Sequence, residues 1–333
     1  MAPDVVIIDC TLREGSQSPG TRFDTDDSLR IAHALREAGI RNLEVGHPYA
    51  GRDERERCAA VAATGLFDSV MGHARANEGD IRSVADAGAS WVGIFIGVND
   101  YSQRHRLRRD AGEIIGMIGD AVAFARSLGL SVRYTVEDAS RTAYPDLLKA
   151  YKVAIDAGAN RICYADSVGI CDPAGVREVV SLLHRDLPGI ELEVHFHDDR
   201  GLATANALEA VSAGATHVSA SVNGLGERCG ITDTCILAAN LLFLGSSCGV
   251  SGDALFGLSR TVANVASDDP GLRRPVVGRH SFTHTARLHR IAVDREPGSY
   301  HWHPPEAFGR SAALAGSRAA SAVGADETGS GPT

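Results

Sequence analysis

Two histidines separated by one residue carry the most specific chemical signal in this sequence. His195 and His197 share one face of any β-strand that contains both. Two imidazoles at this spacing can bind one metal ion, although paired histidines also occur in purely structural roles. Carboxylates are expected at the same mouth of the fold: Glu14, Glu193 and Asp198. Two histidines and one carboxylate form a common divalent-metal set that leaves coordination positions open for a substrate.

Polar side chains also stand at the ends of most other β-rich runs. In chain order they are Asp9, Thr11 and Arg13, then Glu44 and His47, His73 and Arg75, Arg133, Thr135 and Glu137, Asp166 and Ser167, and Asn223–Arg228. Charged groups on the inner face of a barrel are costly unless they are paired or bind something. The same feature at one end of five or six strands therefore indicates a site.

Eight short β-branched runs alternate with helix-patterned segments along most of the chain. The runs are Val5–Asp9, Asn42–Val45, Ser69–His73, Trp91–Ile96, Ser131–Glu137, Arg161–Asp166, Glu191–His197 and Thr216–Val222. This alternation predicts an α/β fold, a closed (β/α)₈ TIM barrel, which typically takes about 250 residues. The alternative is a doubly wound open sheet. That fold usually has a glycine-rich turn after its first strand, where this sequence has Thr11–Gly15.

The alternation ends after Ala238, and this divides the chain. We expect a barrel domain over residues 1–245 and a short helical or irregular C-terminal arm over 246–312. The arm is predicted to contact a second subunit and to contain a helix at Ser251–Asp268. Residues 313–333 are rich in Ala, Ser and Gly and are predicted to form a disordered tail.

Composition excludes several classes of protein. The 333 residues include 33 basic and 42 acidic side chains, a net charge of −9, so no basic stripe is available for nucleic acid. No apolar run is long enough to span a membrane. Met1–Asp4 lacks the basic and apolar regions of a signal peptide. The seven cysteines form no C-x-x-C pair, which favours reduced thiols in a cytoplasmic protein.

Some patterns leave two interpretations open. The loop Gly224–Arg228 is either a tight turn whose charged residues pair with neighbours or a backbone surface for an anionic cofactor arm. The basic cluster Arg104–Arg109 favours a solvated helix start over a phosphate contact at the barrel mouth. Taken singly, several residues of the arm favour surface or packing roles: His284, His289, Tyr300, His301 and His303.

Together these motifs resemble the acetyl-CoA-dependent branch of the DRE-TIM metallolyase superfamily, which includes homocitrate synthase, 2-isopropylmalate synthase and Re-citrate synthase. The matching barrel segments are Asp9–Gly15, Glu44–Pro48, Ala165–Gly169, His195–Asp199 with Gly201 and Asn206, and Asn223–Arg228. After the barrel, the matching residues are Pro275–Gly278, Phe282–His284, His289 and Tyr300. The resemblance extends over residues 4–310.

The resemblance implies a role for each matching residue. The implied ligands of a divalent metal (Mn, Mg, Co or Zn) are Glu14, His195 and His197. The implied catalytic residues are Arg13, Glu137, His289 and Tyr300. The implied contacts of a 2-oxo acid are Gln17, Glu44, His73, Arg133, Thr135 and Ser167, and those of acetyl-CoA are Asn223, Gly224, Gly226 and Arg228. In this family His289 and Tyr300 would reach a neighbouring subunit's site, which implies a homodimer.

The implied reaction is a metal-dependent Claisen-type condensation of acetyl-CoA with a 2-oxo acid, giving a malate- or homocitrate-type acid and CoA. A relay through Tyr300, His289 and a glutamate is the hypothesis for the base. A lyase resembling hydroxymethylglutaryl-CoA lyase is an alternative that Cys229 keeps open, since the lyase loop usually carries Gly-Cys-Pro. A non-catalytic paralogue is a further alternative, and the retention of Arg13, Glu14, His195 and His197 argues against it.

Arg133 and His73 favour an acidic distal group: 2-oxoglutarate, oxaloacetate, or phosphono- or phosphinopyruvate. An aliphatic 2-oxo acid of the 2-isopropylmalate type is the alternative. Gly93 stands where homocitrate synthases tend to carry an acidic residue, which weakens the case for 2-oxoglutarate. A late family histidine is missing from residues 309–319, and no long leucine-feedback domain is expected. These departures favour a specialised synthase of amino-acid or secondary-metabolite biosynthesis.

Overall fold

Eight parallel strands close into a barrel, as the sequence predicts. The computed structural model describes residues 4–310. The strands are β1 Val6–Asp9, β2 Asn42–Gly46, β3 Ser69–Arg75, β4 Trp91–Phe95, β5 Ser131–Val136, β6 Arg161–Asp166, β7 Glu191–Phe196 and β8 His217–Ala220. Each strand pairs with its sequence neighbours, and β1 pairs with β8 from Val6 opposite His217 to Asp9 opposite Ala220. The open-sheet alternative is therefore wrong.

Helices follow the strands and cover the outside of the barrel. They are α1 Thr25–Glu37, α2 Arg52–Ala62, α3 Glu78–Asp86, α4 Ala111–Ser127, α5 Tyr144–Asp156, α6 Pro173–Asp186, α7 Ala203–Ser212 and α8 Thr234–Phe243. The sequence pattern predicts a first helix over Ser28–Ala38, but α1 begins three residues earlier, at Thr25, because the Asp24 side chain caps it by accepting from the Asp27 amide. Gly39 follows the C-terminal end of α1 and has a left-handed φ of +95°. A Cβ at this position would lie 2.2 Å from the Gly249 carbonyl oxygen.

The inner and outer faces of the strands carry different chemistry. Val92, Ile94 and Val132 are fully buried and belong to the main hydrophobic core. Charged residues occupy other fully buried strand positions, including Glu44 and Glu193. A barrel interior built this way requires ion pairs inside it, because unpaired buried charges are costly.

The chain continues beyond the barrel into the C-terminal arm. Helix α9, Leu255–Ala266, packs against α1 and matches the helix expected within Ser251–Asp268. The sequence predicts an irregular segment over Pro270–Pro305, but this segment contains a short helix, α10 Arg287–Arg295, with no buried residue. Arg310 ties the end of the described chain back by donating to the carbonyl oxygen of Gly278 at 2.7 Å. The predicted disordered tail lies outside the described residues, and within residues 4–310 no helix is long and apolar enough to cross a membrane.

Candidate active site

A polar cavity of about 420 Å³ lies at the carboxyl ends of the strands, where the chemistry of this fold is found. It brings together Arg13, Glu14, Gln17, His73, Arg133, Thr135, Glu137, Ser167, His195, His197 and Arg228. A larger cavity of about 890 Å³ lies beside it, between the starts of α1 and α2, and shares only His47 with it. The smaller cavity is the candidate site, because it alone of the two contains the histidine pair.

Glu14, His195 and His197 form a compact group of three metal-type ligands. One ligand atom from each lies within 4.8 Å of the others, and among residues 4–310 this is the one group of its kind. The two Nε2 atoms are 3.4 Å apart, and the Nε2 of His197 is 3.9 Å from a Glu14 oxygen. The ends of β1 and β7 thus point three donors at one small volume, which fits a divalent ion.

The protonation states of these groups also fit a metal. Burial lowers the pKa of His195 to about 3 and also lowers the pKa of His197. Burial alone would raise the pKa of Glu14, but Arg13 and the two imidazoles outweigh burial and lower it. At neutral pH the site therefore holds two neutral imidazoles and one carboxylate, and metal ligands must be in these forms.

A buried network of ion pairs underlies the cavity. Arg13 pairs with Glu14 and donates from Nε to Glu44 at 2.6 Å. Arg133 pairs with the same Glu44 and donates to Glu193 at 2.6 Å. Burial would raise the pKa of Glu44, yet the two arginines hold it well below its usual range. Charges of alternating sign therefore fix the Arg13 guanidinium beside the candidate metal ligands.

Glu44 lies beneath the cavity and does not line it. The resemblance implies a 2-oxo acid contact for this residue, but its side chain is fully buried between Arg13 and Arg133. The reason is its inward position on β2, where it faces Arg133 of β5 and Arg13 of the turn after β1. The structure shows it positioning both arginines.

The wall opposite the metal group has unsatisfied polar atoms. Thr135 Oγ1 and Arg133 Nε are buried, and neither has a hydrogen-bond partner within the described chain. His73 lines the same cavity, and its ring stacks on that of Phe95 with the centroids 4.6 Å apart. A Cβ at Gly93 would lie 2.6 Å from an Arg133 nitrogen and 2.9 Å from His73, so glycine leaves space for both side chains. Buried polar atoms without partners indicate a ligand that supplies them.

Asp9 shapes the turn that carries Arg13 and Glu14. One oxygen accepts from the Thr11 amide at 2.9 Å, and the other accepts from the Thr234 hydroxyl at 3.2 Å. Burial outweighs these hydrogen bonds and raises the pKa of Asp9 from 3.8 to about 7. The carboxyl thereby joins β1 to the start of α8.

Asp9→Asn is expected to change the pH dependence of stability. Between pH 4 and 7 the folded state retains a proton that the unfolded state releases, so rising pH costs the wild type up to about 1.4 kcal/mol per unit. The variant lacks this cost. Urea denaturation should show the free energy of unfolding of the variant rising relative to that of the wild type by about 2.6 kcal/mol from pH 5 to pH 8. Exposed Asp4→Asn is the control, and an equal difference at both pH values would contradict the assignment.

The loop after β8 contains the predicted acetyl-CoA contacts, and it adopts the tight-turn arrangement. Asn223 exchanges hydrogen bonds with Ser259 on α9. Gly224 has a φ of +66° and abuts Arg274, where a Cβ would lie 2.5 Å from a guanidinium nitrogen. Neither lines the cavity. Gly226 packs against Glu14, where a Cβ would lie 2.9 Å from Cγ. Of the four, Arg228 lines the cavity and also pairs with Asp199 at 2.8 Å.

His289 and Tyr300 do not line the cavity of their own chain. Their rings stack at 4.1 Å on the arm, and Tyr300 is half exposed. His284 lies beside both rings. The role implied for them in a neighbouring subunit stays a prediction.

Several residues of the cavity wall were given no site role from the sequence, among them Tyr101, Arg106 and Arg141. Arg106 belongs to the basic cluster that favoured a solvated helix start. Arg104 and Arg106 instead lie on a π-helical turn, Ser102–Leu107, between β4 and α4, and Arg108 and Arg109 follow it. The available signal was the dense run of arginines between a predicted strand and the helix that follows it.

Known proteins resemble this chain in sequence and in fold. The HMGL-like family model matches residues 4–262. A homocitrate synthase of Sulfurisphaera tokodaii is 39% identical over 313 residues, covering 92% of this chain and 68% of the relative. A homocitrate synthase of Saccharolobus islandicus is 38% identical over 310 residues, covering 92% of this chain and 67% of the relative. The chain therefore spans about two thirds of the length of these relatives.

Solved structures show the same barrel. A hydroxymethylglutaryl-CoA lyase from Pseudomonas aeruginosa aligns with a TM-score of 0.72 at 20% identity, covering 82% of this chain and 97% of that one. An HMG-CoA lyase from Brucella melitensis gives 0.71 at 20% identity, covering 80% and 100%. Because the HMGL-like family model matches most of the chain, the chain belongs to the HMGL-like family. Within it, the chain falls in the acetyl-CoA-dependent synthase branch of the DRE-TIM metallolyases, a branch of acyltransferases.

Proposed function

We propose that this protein condenses acetyl-CoA with an acidic 2-oxo acid, and that water then hydrolyses the thioester of the adduct to release CoA and a 2-hydroxy-2-carboxymethyl acid. The observation that carries the proposal is the Glu14, His195 and His197 group, held beside Arg13 on the floor of a cavity whose opposite wall has unsatisfied donors. The homocitrate synthases that resemble the chain support it.

Glu14, His195 and His197 would hold Mn²⁺, Mg²⁺, Co²⁺ or Zn²⁺. When bound, such an ion supplies Lewis-acid polarisation of the substrate ketone. The protein supports the site by keeping both imidazoles neutral and by placing the Glu227 amide 3.5 Å from a Glu14 oxygen. It also encloses all three side chains, which are buried.

Arg13 is assigned to the oxygen on which negative charge develops. Its guanidinium is fixed by Glu14 and Glu44 before any substrate enters, so little reorganisation is required during the reaction. A preorganised cation in a buried site stabilises an enolate or alkoxide far better than a mobile surface arginine would. Substitution of Arg13 should therefore lower kcat more than it raises KM.

The wall formed by His73, Arg133 and Thr135 supports an acidic 2-oxo acid. Thr135 Oγ1 and Arg133 Nε have no partner among residues 4–310, and a ligand oxygen would satisfy them. An aliphatic side chain would leave these atoms unpaired, which is unfavourable. 2-Oxoglutarate, oxaloacetate and phosphono- or phosphinopyruvate all offer such oxygens. Gln17 and Ser167 line the same cavity and complete the proposed contacts.

Glu137 lies at the mouth, and His289 and Tyr300 are proposed to complete a proton relay with it across a homodimer. The exposed aromatic and aliphatic side chains of the arm support such an assembly: Leu288, Tyr300 and Trp302. Arg228 and the backbone of Gly226 are proposed to meet the CoA portion of acetyl-CoA. Asn223, which bonds Ser259, and Gly224, which abuts Arg274, are proposed to support the conformation of that loop.

A substrate panel tests the proposed acid preference. Purified protein with Mn²⁺ and acetyl-CoA is assayed for thiol release with 2-oxoglutarate, oxaloacetate, phosphonopyruvate and 2-oxoisovalerate. The best acidic substrate should exceed 2-oxoisovalerate in kcat/KM by about 100-fold or more, since a site built for an anion rejects an apolar group strongly. Preference for 2-oxoisovalerate would instead identify a 2-isopropylmalate-type enzyme. Cleavage of hydroxymethylglutaryl-CoA without condensation would identify a lyase.

A further inference from the structure

Arginine side chains line the cavity from five positions, and four of them are already neutralised. Arg13 and Arg133 are buried and contact two carboxylates each. Arg141 donates to Asp138 from two nitrogens at 2.7 to 3.0 Å. Arg228 donates to both oxygens of Asp199 at 2.8 and 2.9 Å. An incoming anion would have to break these pairs before it could use any of the four guanidinium groups fully.

Arg106 is the fifth arginine, and it is held more loosely. Its one ion pair within the described chain runs from a single nitrogen to Glu137, at 2.5 Å. The Arg106 side chain is 45% exposed and that of Glu137 is 25% exposed. A pair of this exposure is weak in net free energy, because water solvates both groups and each keeps its side-chain entropy when apart. Arg106 can therefore exchange Glu137 for another anion at low cost.

The turn that carries Arg106 is fixed firmly to the end of β5. Asn99 donates to the carboxylate of Asp138 at 2.7 Å and accepts from the Ser102 amide. A Cβ at Gly97 would lie 2.2 Å from Ser102 Oγ and 2.7 Å from the Glu137 carbonyl oxygen, so the two loops touch through a glycine. Gln103 donates to the Val98 carbonyl oxygen at 2.7 Å.

The backbone of this turn is also irregular, and Arg106 on it lines the cavity. Ser102–Leu107 is a π-helical turn, a form found frequently at functional sites. It closes with Arg108 in the left-handed conformation, at a φ of +54°, which is unfavourable for arginine. Within the cluster, Arg104 pairs with Asp100 at 3.2 Å and does not line the cavity, whereas Arg106 does.

We propose that Arg106 binds the distal anionic group of the 2-oxo acid together with Arg133 and Thr135 of the cavity wall, and that Glu137 is the counter-ion of Arg106 when no substrate is present. This inference rests on the proposed function and adds a specificity-determining residue to it. The distal carboxylate or phosphonate displaces Glu137 from Arg106, which frees the Glu137 carboxylate at the mouth as the substrate binds. Selection of an acidic substrate is thereby coupled to release of a carboxylate assigned to the proton relay.

Binding of matched acids to the Mn²⁺-loaded protein tests this proposal by calorimetry. The pairs are 2-oxoglutarate with 2-oxopentanoate and oxaloacetate with 2-oxobutanoate, each pair differing by the distal carboxylate. Arg106→Gln should weaken binding of the preferred diacid about tenfold, because one charge-assisted hydrogen bond is lost. The affinity for the matched monoacid should change less than about twofold. Arg106→Lys should retain part of the affinity, since it keeps the charge but not the planar fork.

Glu137→Gln gives the discriminating result. If Glu137 competes with the substrate for Arg106, its removal should tighten diacid binding about threefold or more, so the two variants move in opposite directions. A purely structural ion pair would make both variants bind more weakly, and that outcome would overturn the proposal. Arg104→Gln, on the same turn, is the matched control and should leave both affinities unchanged.

The same measurements separate this inference from the proposed function. Wild-type protein that binds diacids no better than their matched monoacids would overturn the acid preference and the role of Arg106 together. Wild-type protein that prefers diacids, with the preference retained in Arg106→Gln, would overturn the role of Arg106 alone. An effect of Arg106→Gln on the KM for acetyl-CoA, with diacid binding unchanged, would also overturn it and place this cation at the phosphates of CoA.

Discussion

His195→Ala is expected to remove the divalent metal and to reduce thiol release from acetyl-CoA by at least about 10³-fold. The residue supplies one of three ligand atoms that lie within 4.8 Å of one another, and no nearby carboxylate can replace it from the same strand face, since Glu193 is already committed to Arg133 and Arg161. Loss of the ion removes several kcal/mol of stabilisation from the transition state. Metal content after dialysis is measured by mass spectrometry, and thiol release by a chromogenic disulfide.

A matched control distinguishes lost ligation from general damage. His217 is another buried strand histidine, but it lies at the start of β8, where it faces Glu191 at 3.6 Å. His217→Ala should keep the metal, whatever it does to stability. Full metal content and normal turnover in His195→Ala would show that the metal site lies elsewhere.

Glu44→Gln is expected to destabilise the folded protein by about 3 to 5 kcal/mol, the usual cost of removing one partner from a buried ion pair. The carboxylate is fully buried and contacts both Arg13 and Arg133. A glutamine has one acceptor oxygen and turns its NH₂ group toward the other guanidinium. One buried arginine is then left without its counter-ion.

Urea denaturation of wild type and Glu44→Gln at pH 7 measures this effect. Exposed Glu178 on α6 provides the control, since Glu178→Gln should change the free energy of unfolding by less than about 0.5 kcal/mol. A change of under about 1 kcal/mol in Glu44→Gln would mean that the network beneath the cavity contributes little. The account of how Arg13 is held in place would then fail.

The fold could be predicted because its signal is repeated eight times. Each β-branched run is short and bounded by a turn, so an error at one end, such as the two extra residues predicted at Val222, changes nothing in the topology. Helix ends were less accurate where a cap precedes the apolar pattern. Asp24 caps α1, and the first apolar residue of the helix, Leu29, comes only five residues later.

Two members of the candidate metal group, His195 and His197, could also be predicted, since they lie at the end of a strand, where the direction of a side chain follows from the alternation. Glu14 lies on the turn after β1, where no alternation applies. What the sequence did not show is how buried charges pair across strands. Glu44 fits a substrate contact by its position, yet two arginines from β5 and the β1 turn enclose it. Arg106 was missed because a π-helical turn follows no simple sequence period.

Mass spectrometry of the reaction products tests the central claim most directly. Mn²⁺-loaded protein is incubated with acetyl-CoA and the 2-oxo acid that the substrate panel selects. The account predicts equal amounts of CoA and of one new acid, heavier than the 2-oxo acid by the mass of acetic acid, and neither product after treatment with a chelator. Release of CoA without a new acid, or formation of the acid without metal, would contradict it.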